Sequence, residues 1–332
     1  MAERDAGSGR GGSGRGGNGR GDSVRAGGSD RTGGNGGNRG ATEQVTPALL
    51  RQWPLPGPGG DKESRGRVLV VGGTASTPGA VLLAGEAVLR SGGGKLQVAT
   101  AHEVAAALAV AVPEALVHPL PTDGGGSLAA EAADELRELA DGADAVLVGS
   151  GFSDVEATLA LLHALVPRLE APLVLDAVAS AYLGKGGGDV HDLAHGCVLS
   201  ANVDEVALTL GVPTQEVGQD PAGAAAALAS RSGAVVLCGG STKTVAAPDG
   251  RVWWTDAGGP GLGVSGSGDV QAGIVAGLLG RGAEPEQAAV WGAFLHGRAG
   301  DELAGRVGTV GFLAREVPGA VPALLHELTS QD

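Results

Sequence analysis

From Arg67 onward, short apolar runs alternate with longer stretches of helical periodicity. The apolar runs are 68–71, 96–99, 115–117, 145–148, 173–175, 197–199 and 235–237, bounded by Gly, Pro or Asp. Between them, 80–90, 103–110, 128–139, 155–169, 204–210 and 222–229 are long enough for several helical turns. Strands without a polar face are buried on both sides, so the pattern predicts an α/β fold with a mostly parallel central sheet and helices on both faces. Past Lys243 the pattern changes. Segments 244–247 and 251–255, joined by Pro248-Asp249-Gly250, predict a hairpin, and a Gly-rich loop then leads into helices at 270–279, 286–303 and 322–328. Segment 53–60 reads as a Pro/Gly loop, with regular structure expected from Arg67. The expected partition is a disordered Gly/Arg-rich tail over 1–45 and a single domain over 46–332.

Composition sharpens this. The 332 residues include 62 Gly and only eight aromatics. No strict Gly-X-Y period runs through the chain, which excludes collagen, and its abundant Ala, Val and Leu past residue 67 argue against wholesale disorder. Residues 1–40 hold 16 Gly, seven Arg and four acids, so of the total charge of -14 the remainder carries about -17. A body that acidic, with four Lys in the whole chain, has no broad basic face for nucleic acid and no polybasic patch for a membrane. The Arg-Gly tail lacks aromatics that could stack on bases and reads as a solvated extension. There is no signal-peptide pattern and no apolar run of bilayer length, and Cys197 and Cys238 sit within apolar runs as reduced core thiols; a cytoplasmic protein is expected. An anionic ligand must then be held by backbone N–H groups, a helix N-terminus or a metal ion.

The strongest such place is Asp256-Ala-Gly-Gly-Pro-Gly-Leu-Gly-Val-Ser-Gly-Ser-Gly-Asp269, running directly into the helix at 270–279. Gly266 and Gly268 let backbone approach a phosphate, and the first-turn N–H groups would point at it. Asp269 suits a base that takes a proton from a hydroxyl attacking that phosphate, or, as the alternative, a simple N-cap. Gly273 and Gly277 would allow close helix packing. Other lookalikes fail on spacing. Segment 70–80 lacks G-x-G-x-x-G, Gly239-Gly-Ser-Thr-Lys243-Thr is not a P-loop, and no His/Cys spacing fits a metal site. His296, inside a helical stretch, reads as a packed or capping histidine ahead of a catalytic one.

Val68-Leu-Val-Val-Gly-Gly73, Pro78-Gly-Ala-Val-Leu-Leu-Ala84, Leu89-Arg-Ser-Gly-Gly-Gly94, Val146-Leu-Val-Gly-Ser-Gly151, Leu173-Val-Leu-Asp176, Gly266-Ser-Gly-Asp-Val270 and Leu295-His-Gly-Arg-Ala-Gly-Asp301 occur in that order. Together they resemble the ADP-dependent NAD(P)H-hydrate dehydratases of the ribokinase-like superfamily, over about residues 65–330. The resemblance implies a three-layer ribokinase-like fold. In that family a phosphoryl group of ADP, used with Mg2+, activates the hydroxyl of hydrated NADH or NADPH (NADHX, NADPHX), and elimination restores the dinucleotide, leaving AMP and phosphate.

Carried over by position, the resemblance places Ala80, Gly151 and Asn202 against the hydrate, with Asp269 as catalytic base and substrate contact. Gly239, Gly240, Ser241, Thr242 and Lys243, with Gly266, Ser267 and Gly268, would hold the nucleotide, and Glu205 would stand near the metal. It further implies a homo-oligomer, a homotetramer, and a separate NAD(P)H-hydrate epimerase, since the residues before Arg67 cannot hold an epimerase domain. The sequence departs from the family pattern at Val203 and Asp204, at Cys238 where a lysine is usual, and after Asp176-Ala177 where a second Asp is common. Lys243, a few residues on, could reach a phosphate instead. A ribokinase-like kinase of a small alcohol, or a nucleotide-binding relative without turnover, shares the Gly-Ser-Gly-Asp site and stays open on the residues alone.

Overall fold

The computed structural model describes residues 42–330 apart from Pro58. Nearly all of the expected tail, residues 1–41, lies outside the described residues. The elements run β1 (Thr42–Gln44), α1 (Pro47–Gln52), β2 (Arg67–Val71), α2 (Pro78–Arg90), β3 (Lys95–Ala101), α3 (His102–Ala111), β4 (Ala115–Leu120), α4 (Ala133–Ala140), β5 (Ala145–Val148) and α5 (Val155–Leu165). They continue with β6 (Leu173–Asp176), β7 (Cys197–Asn202), α6 (Val203–Leu210), α7 (Thr214–Gln219), α8 (Pro221–Ser232), β8 (Val235–Gly239), β9 (Lys243–Ala246), β10 (Val252–Thr255), α9 (Ser267–Gly280), α10 (Pro285–Arg306) and α11 (Val321–Thr329).

All ten strands form one sheet in the order β1-β10-β9-β8-β7-β6-β5-β2-β3-β4, in which β9 alone runs against the others. The wholly apolar strands have the expected cause. Val68, Val70 and Leu147 face a core shared with α2, α9 and α10, while Leu69, Val71 and Val146 face a second core under α4, α5 and α8. Successive side chains alternate between these two buried faces, so neither face can be polar.

Two sequence expectations need correction. Regular structure begins before Arg67, because Thr42–Gln44 pair in parallel with Val252–Trp254 at the sheet edge and Thr46 caps α1 with its hydroxyl. Val45, placed in the tail from sequence, is buried. The Pro/Gly segment that follows is tied down: Trp53 O accepts bonds from Trp291 Nε1 at 2.9 Å and Gln287 Nε2 at 3.2 Å. Helix 128–139 also begins later, with a short 3-10 turn over Ala130–Ala132 ahead of α4.

Two features position the site. From β2 the chain runs outward through β3 and β4, then returns to place β5 on the other side of β2. The carboxyl ends of β2 and β5 thus flank a topological switch point, where open α/β sheets bind ligands. There Gly73 N donates to Ser150 O at 2.9 Å and Gly149 N to Val71 O at 3.1 Å. Second, α9 is buried on nearly all sides. A Cβ at Gly273 would run into Ala84 O, and one at Gly277 into the Ser91 side chain, so both glycines allow α9 to lie against α2 as the sequence suggested.

Candidate active site

A cavity of about 830 Å³ opens beyond the carboxyl ends of β6, β7 and β8, closed on the far side by the loop entering α9. Gly266, at φ 89°, turns the chain into α9 and occupies the N-cap position without a side-chain cap bond. Asp269 is therefore the third residue of the helix and not its cap, which removes the alternative reading of this carboxylate. Ser267 and Gly268 precede it in the first turn, so the N-terminal end of a helix, whose dipole favours an anion, and a carboxylate share one wall. Burial pushes the Asp269 carboxyl up to about 6; the Ser150 hydroxyl opposes the rise and the Glu205 carboxylate adds to it.

Most of the residues selected from sequence line this one cavity: Asn202, Glu205, Gly239, Gly240, Ser241, Lys243, Gly266, Ser267, Gly268 and Asp269. Thr242 is exposed and lies outside its wall. Ala80 and Gly151 also lie outside it but meet each other at the switch point, where a Cβ on Gly151 would press on the Ala80 methyl. Thr77 Oγ1 donates to Gly151 O at 2.5 Å, fixing that contact.

Asn202 and Glu205 have a structural task. Asn202 Oδ1 accepts from Glu205 N at 2.9 Å and Glu205 Oε2 accepts from Asn202 N at 2.9 Å, a reciprocal capping box at the start of α6. This turn is built without the Pro-Gly of the family pattern. Burial raises the Glu205 carboxyl, the bond from Asn202 opposes that, and Asp204 adds to it. Among the described residues no three His, Cys, Asp or Glu stand close enough to enclose a metal ion. With one oxygen committed to the cap, Glu205 is no part of a ready-made metal cage.

Lys243 opens β9 and is only 5% exposed. Its Nζ donates to Ala257 O at 3.3 Å, which leaves two N–H groups beside the cavity. Burial lowers its pKa to about 8, with Asp301 opposing. Asp301 Oδ1 accepts from Gly258 N at 3.1 Å and so holds the glycine loop. His296 lines the same wall, its Nε2 3.1 Å from Ser267 Oγ and its buried Nδ1 without a partner. Burial first, and then Lys243, keep this imidazole well below its ordinary range and hence neutral. The sequence reading of His296 as packed holds, and its contact with Ser267 places it in the site as well.

Sequence reasoning gave no role to Asp176, Ser150, Ser200 or Gln271. Asp176 ends the otherwise apolar β6 on the cavity wall, and Gln271 Nε2 donates to Ser200 Oγ at 3.4 Å behind it. The available signal was a carboxylate closing a wholly buried strand. Cys197 and Cys238 are free, buried thiols, as expected. No helix among the described residues is long and apolar enough to cross a membrane.

Residues 68–322 match the protein family described as NAD(P)H-hydrate dehydratase. The ADP-dependent (S)-NAD(P)H-hydrate dehydratase of Xanthomonas campestris pv. campestris is 46% identical over 284 residues, covering 86% of this chain and 96% of that protein. The bifunctional NAD(P)H-hydrate repair enzyme Nnr of Moorella thermoacetica is 37% identical over 86% of this chain, which spans 54% of that relative, about half its length. Among solved structures, the ADP/ATP-dependent NAD(P)H-hydrate dehydratase of Bacillus subtilis, co-crystallised with ATP and Mg2+, superposes with a TM-score of 0.75 at 25% identity, over 86% of this chain and 99% of that one.

Proposed function

The chain belongs to the NAD(P)H-hydrate dehydratase family, and from that premise we propose that it catalyses the ADP-dependent dehydration of (S)-NAD(P)H hydrate to NAD(P)H, releasing AMP and phosphate. The observation that carries this reading is the pairing of the α9 N-terminus with Asp269 on one cavity wall. The N–H of Gly268, in the first turn of α9, receives the terminal phosphoryl of the nucleotide, while the Ser267 N–H is held by Val264 O at 3.1 Å. Asp269, two residues beyond Ser267, takes the hydroxyl proton of the hydrate as that oxygen bonds to phosphorus and the bond from phosphorus to AMP breaks. Loss of phosphate from the ring carbon and of a ring proton then restores the dihydronicotinamide.

Ala80 and Gly151, which meet at the switch point outside the cavity wall, and Asn202, which lines that wall, form the contacts of the hydrate. Gly239, Gly240 and Ser241 give the nucleotide a backbone floor. Lys243 supplies positive charge where the usual lysine is replaced by Cys238. Mg2+ would enter with the nucleotide and offset the charge of its phosphates, with Glu205, whose other carboxylate oxygen the capping box leaves uncommitted, as the residue of this chain that would stand by it. Assembly of identical subunits, and an epimerase on another protein, belong to the same reading.

The test is to incubate the protein with NADHX, ADP and Mg2+ and follow the return of dihydronicotinamide absorbance. Recovery is expected with the wild type and none above a blank with Asp269→Asn, which should still bind ADP. No recovery by the wild type at high enzyme concentration would overturn the proposal.

A further inference from the structure

His296 is 3% exposed, sits midway along α10 and lines the cavity wall with Ser267 and Lys243. Its place is set by the backbone around it. A Cβ on Gly297 would run into Ala257 O and one on Gly300 into the Leu262 side chain, so these glycines let the loop that lines the cavity lie directly against the helix. Asp301, further along α10, accepts from Gly258 N at 3.1 Å and holds that loop down. The imidazole is thereby carried to the start of α9, with Nε2 3.1 Å from Ser267 Oγ and a buried Nδ1 that has no partner.

The Ser267 backbone N–H is spent on Val264 O at 3.1 Å, so the hydroxyl is the only donor this residue can offer a ligand. That hydroxyl belongs to a buried residue on the cavity wall, and His296 Nε2 is its one hydrogen-bond partner among the described residues. The ring is neutral and carries a single proton, and a hydroxyl has one proton and two lone pairs, so the contact can run in either of two senses. If the hydroxyl donates to Nε2, the ring proton is on Nδ1, and a buried N–H stands with no acceptor, which folded proteins rarely tolerate. The Ser267 proton is then lost to any ligand as well. If Nε2–H donates to Ser267 Oγ, no buried donor is left unpaired: Nδ1 presents only a lone pair, and the hydroxyl proton is free.

We propose that His296 is a positioning residue for the nucleotide: its Nε2–H donates to Ser267 Oγ and turns the Ser267 hydroxyl proton into the cavity, where it donates to a phosphoryl oxygen. The imidazole makes and breaks no covalent bond. Its contribution is to fix in advance a donor that would otherwise rotate, next to Gly268 in the first turn of α9. The proposal rests on reading this wall as the phosphate site.

The test is a double-mutant cycle read as ADP affinity by calorimetry, with Mg2+ present, on the wild type, His296→Phe, Ser267→Ala and the double variant. Ser267→Ala removes a bond to a charged phosphate and should weaken ADP binding by about tenfold or more. His296→Phe keeps a ring in place without its donor and should weaken binding by about fivefold. In the Ser267→Ala background no hydroxyl remains to be aimed, so there His296→Phe should change the affinity by less than about twofold. An imidazole that served only to pack α10 against α9 would cost the same in both backgrounds. Effects that multiply in the double variant therefore overturn the proposal, as does His296→Phe with wild-type affinity. The imidazole 15N shifts of the wild type report the tautomer and need no variant to fold: a proton on Nε2 supports the proposal, and one on Nδ1 refutes it. A wild type that binds no ADP would instead defeat the reading of the wall as the phosphate site, and the proposal with it, whatever the tautomer.

Discussion

Asp269→Asn is expected to stabilise the fold while it removes turnover. Burial lifts this carboxyl from 3.8 to about 6, net of the opposing hydrogen bond from Ser150. A rise of that size corresponds to about 3 kcal/mol at about 1.4 kcal/mol per unit. The sign follows from linkage. An acid whose folded pKa is raised binds protons more readily when folded, so its ionisation opposes folding in full above about pH 6, by less as pH falls through that value, and not at all below about pH 4. Asn has the same shape and cannot ionise. Because the site keeps some solvent and can relax, urea denaturation at pH 8 should show the variant more stable by about 2 kcal/mol, with a melting temperature several degrees higher. At pH 4 the two proteins should coincide. A variant less stable at pH 8, or a difference equal at both pH values, would refute the claim that Asp269 is held ionised at a cost to the fold.

Two further outcomes concern Lys243, and a third concerns the contact between α2 and α9. Lys243→Met should weaken ADP binding by about tenfold or more, as expected for a lost charge-assisted bond to phosphate. In the wild type, ADP affinity measured by calorimetry should decline as pH rises through about 8, where Lys243 loses its proton; a flat profile would exclude Lys243 from phosphate contact. Gly273→Ala, which in a free helix would gain about 1 kcal/mol, should instead destabilise the protein by about 1–3 kcal/mol, because the new methyl meets Ala84 O on α2. Thermal melts that show no loss would mean that α2 and α9 are free to separate.

The sequence made the central strands legible because burial on two faces leaves a continuous apolar run, which Val68 to Val71 and Leu173 to Leu175 both show. It could not show β1, three exposed residues whose strand character comes entirely from the neighbouring β10. Nor could it show the 3-10 turn over Ala177–Leu183, entered through a left-handed alanine that no propensity favours. Asp269 was legible because a long glycine loop leads into its helix. Ser150 and Asp176 were not, since what matters about them is a 2.8 Å approach between strand ends 26 residues apart in sequence. Glu205 was ambiguous for a different reason: an acid three residues after Asn202 is equally the pattern of a capping box and of a ligand-bearing turn, and the structure realises the cap.

The edge formed by β1 and β10 bears on how the chain is made. Thr42 pairs with Val252, more than two hundred residues further along. During synthesis at about 5–20 residues per second, β1 leaves the ribosome roughly ten seconds or more before its partner strand exists. Trp53 waits longer still for Gln287 and Trp291. The first described strand of this protein is thus among the last to find its place, and until then its backbone N–H and C=O groups have only water or a chaperone to satisfy them.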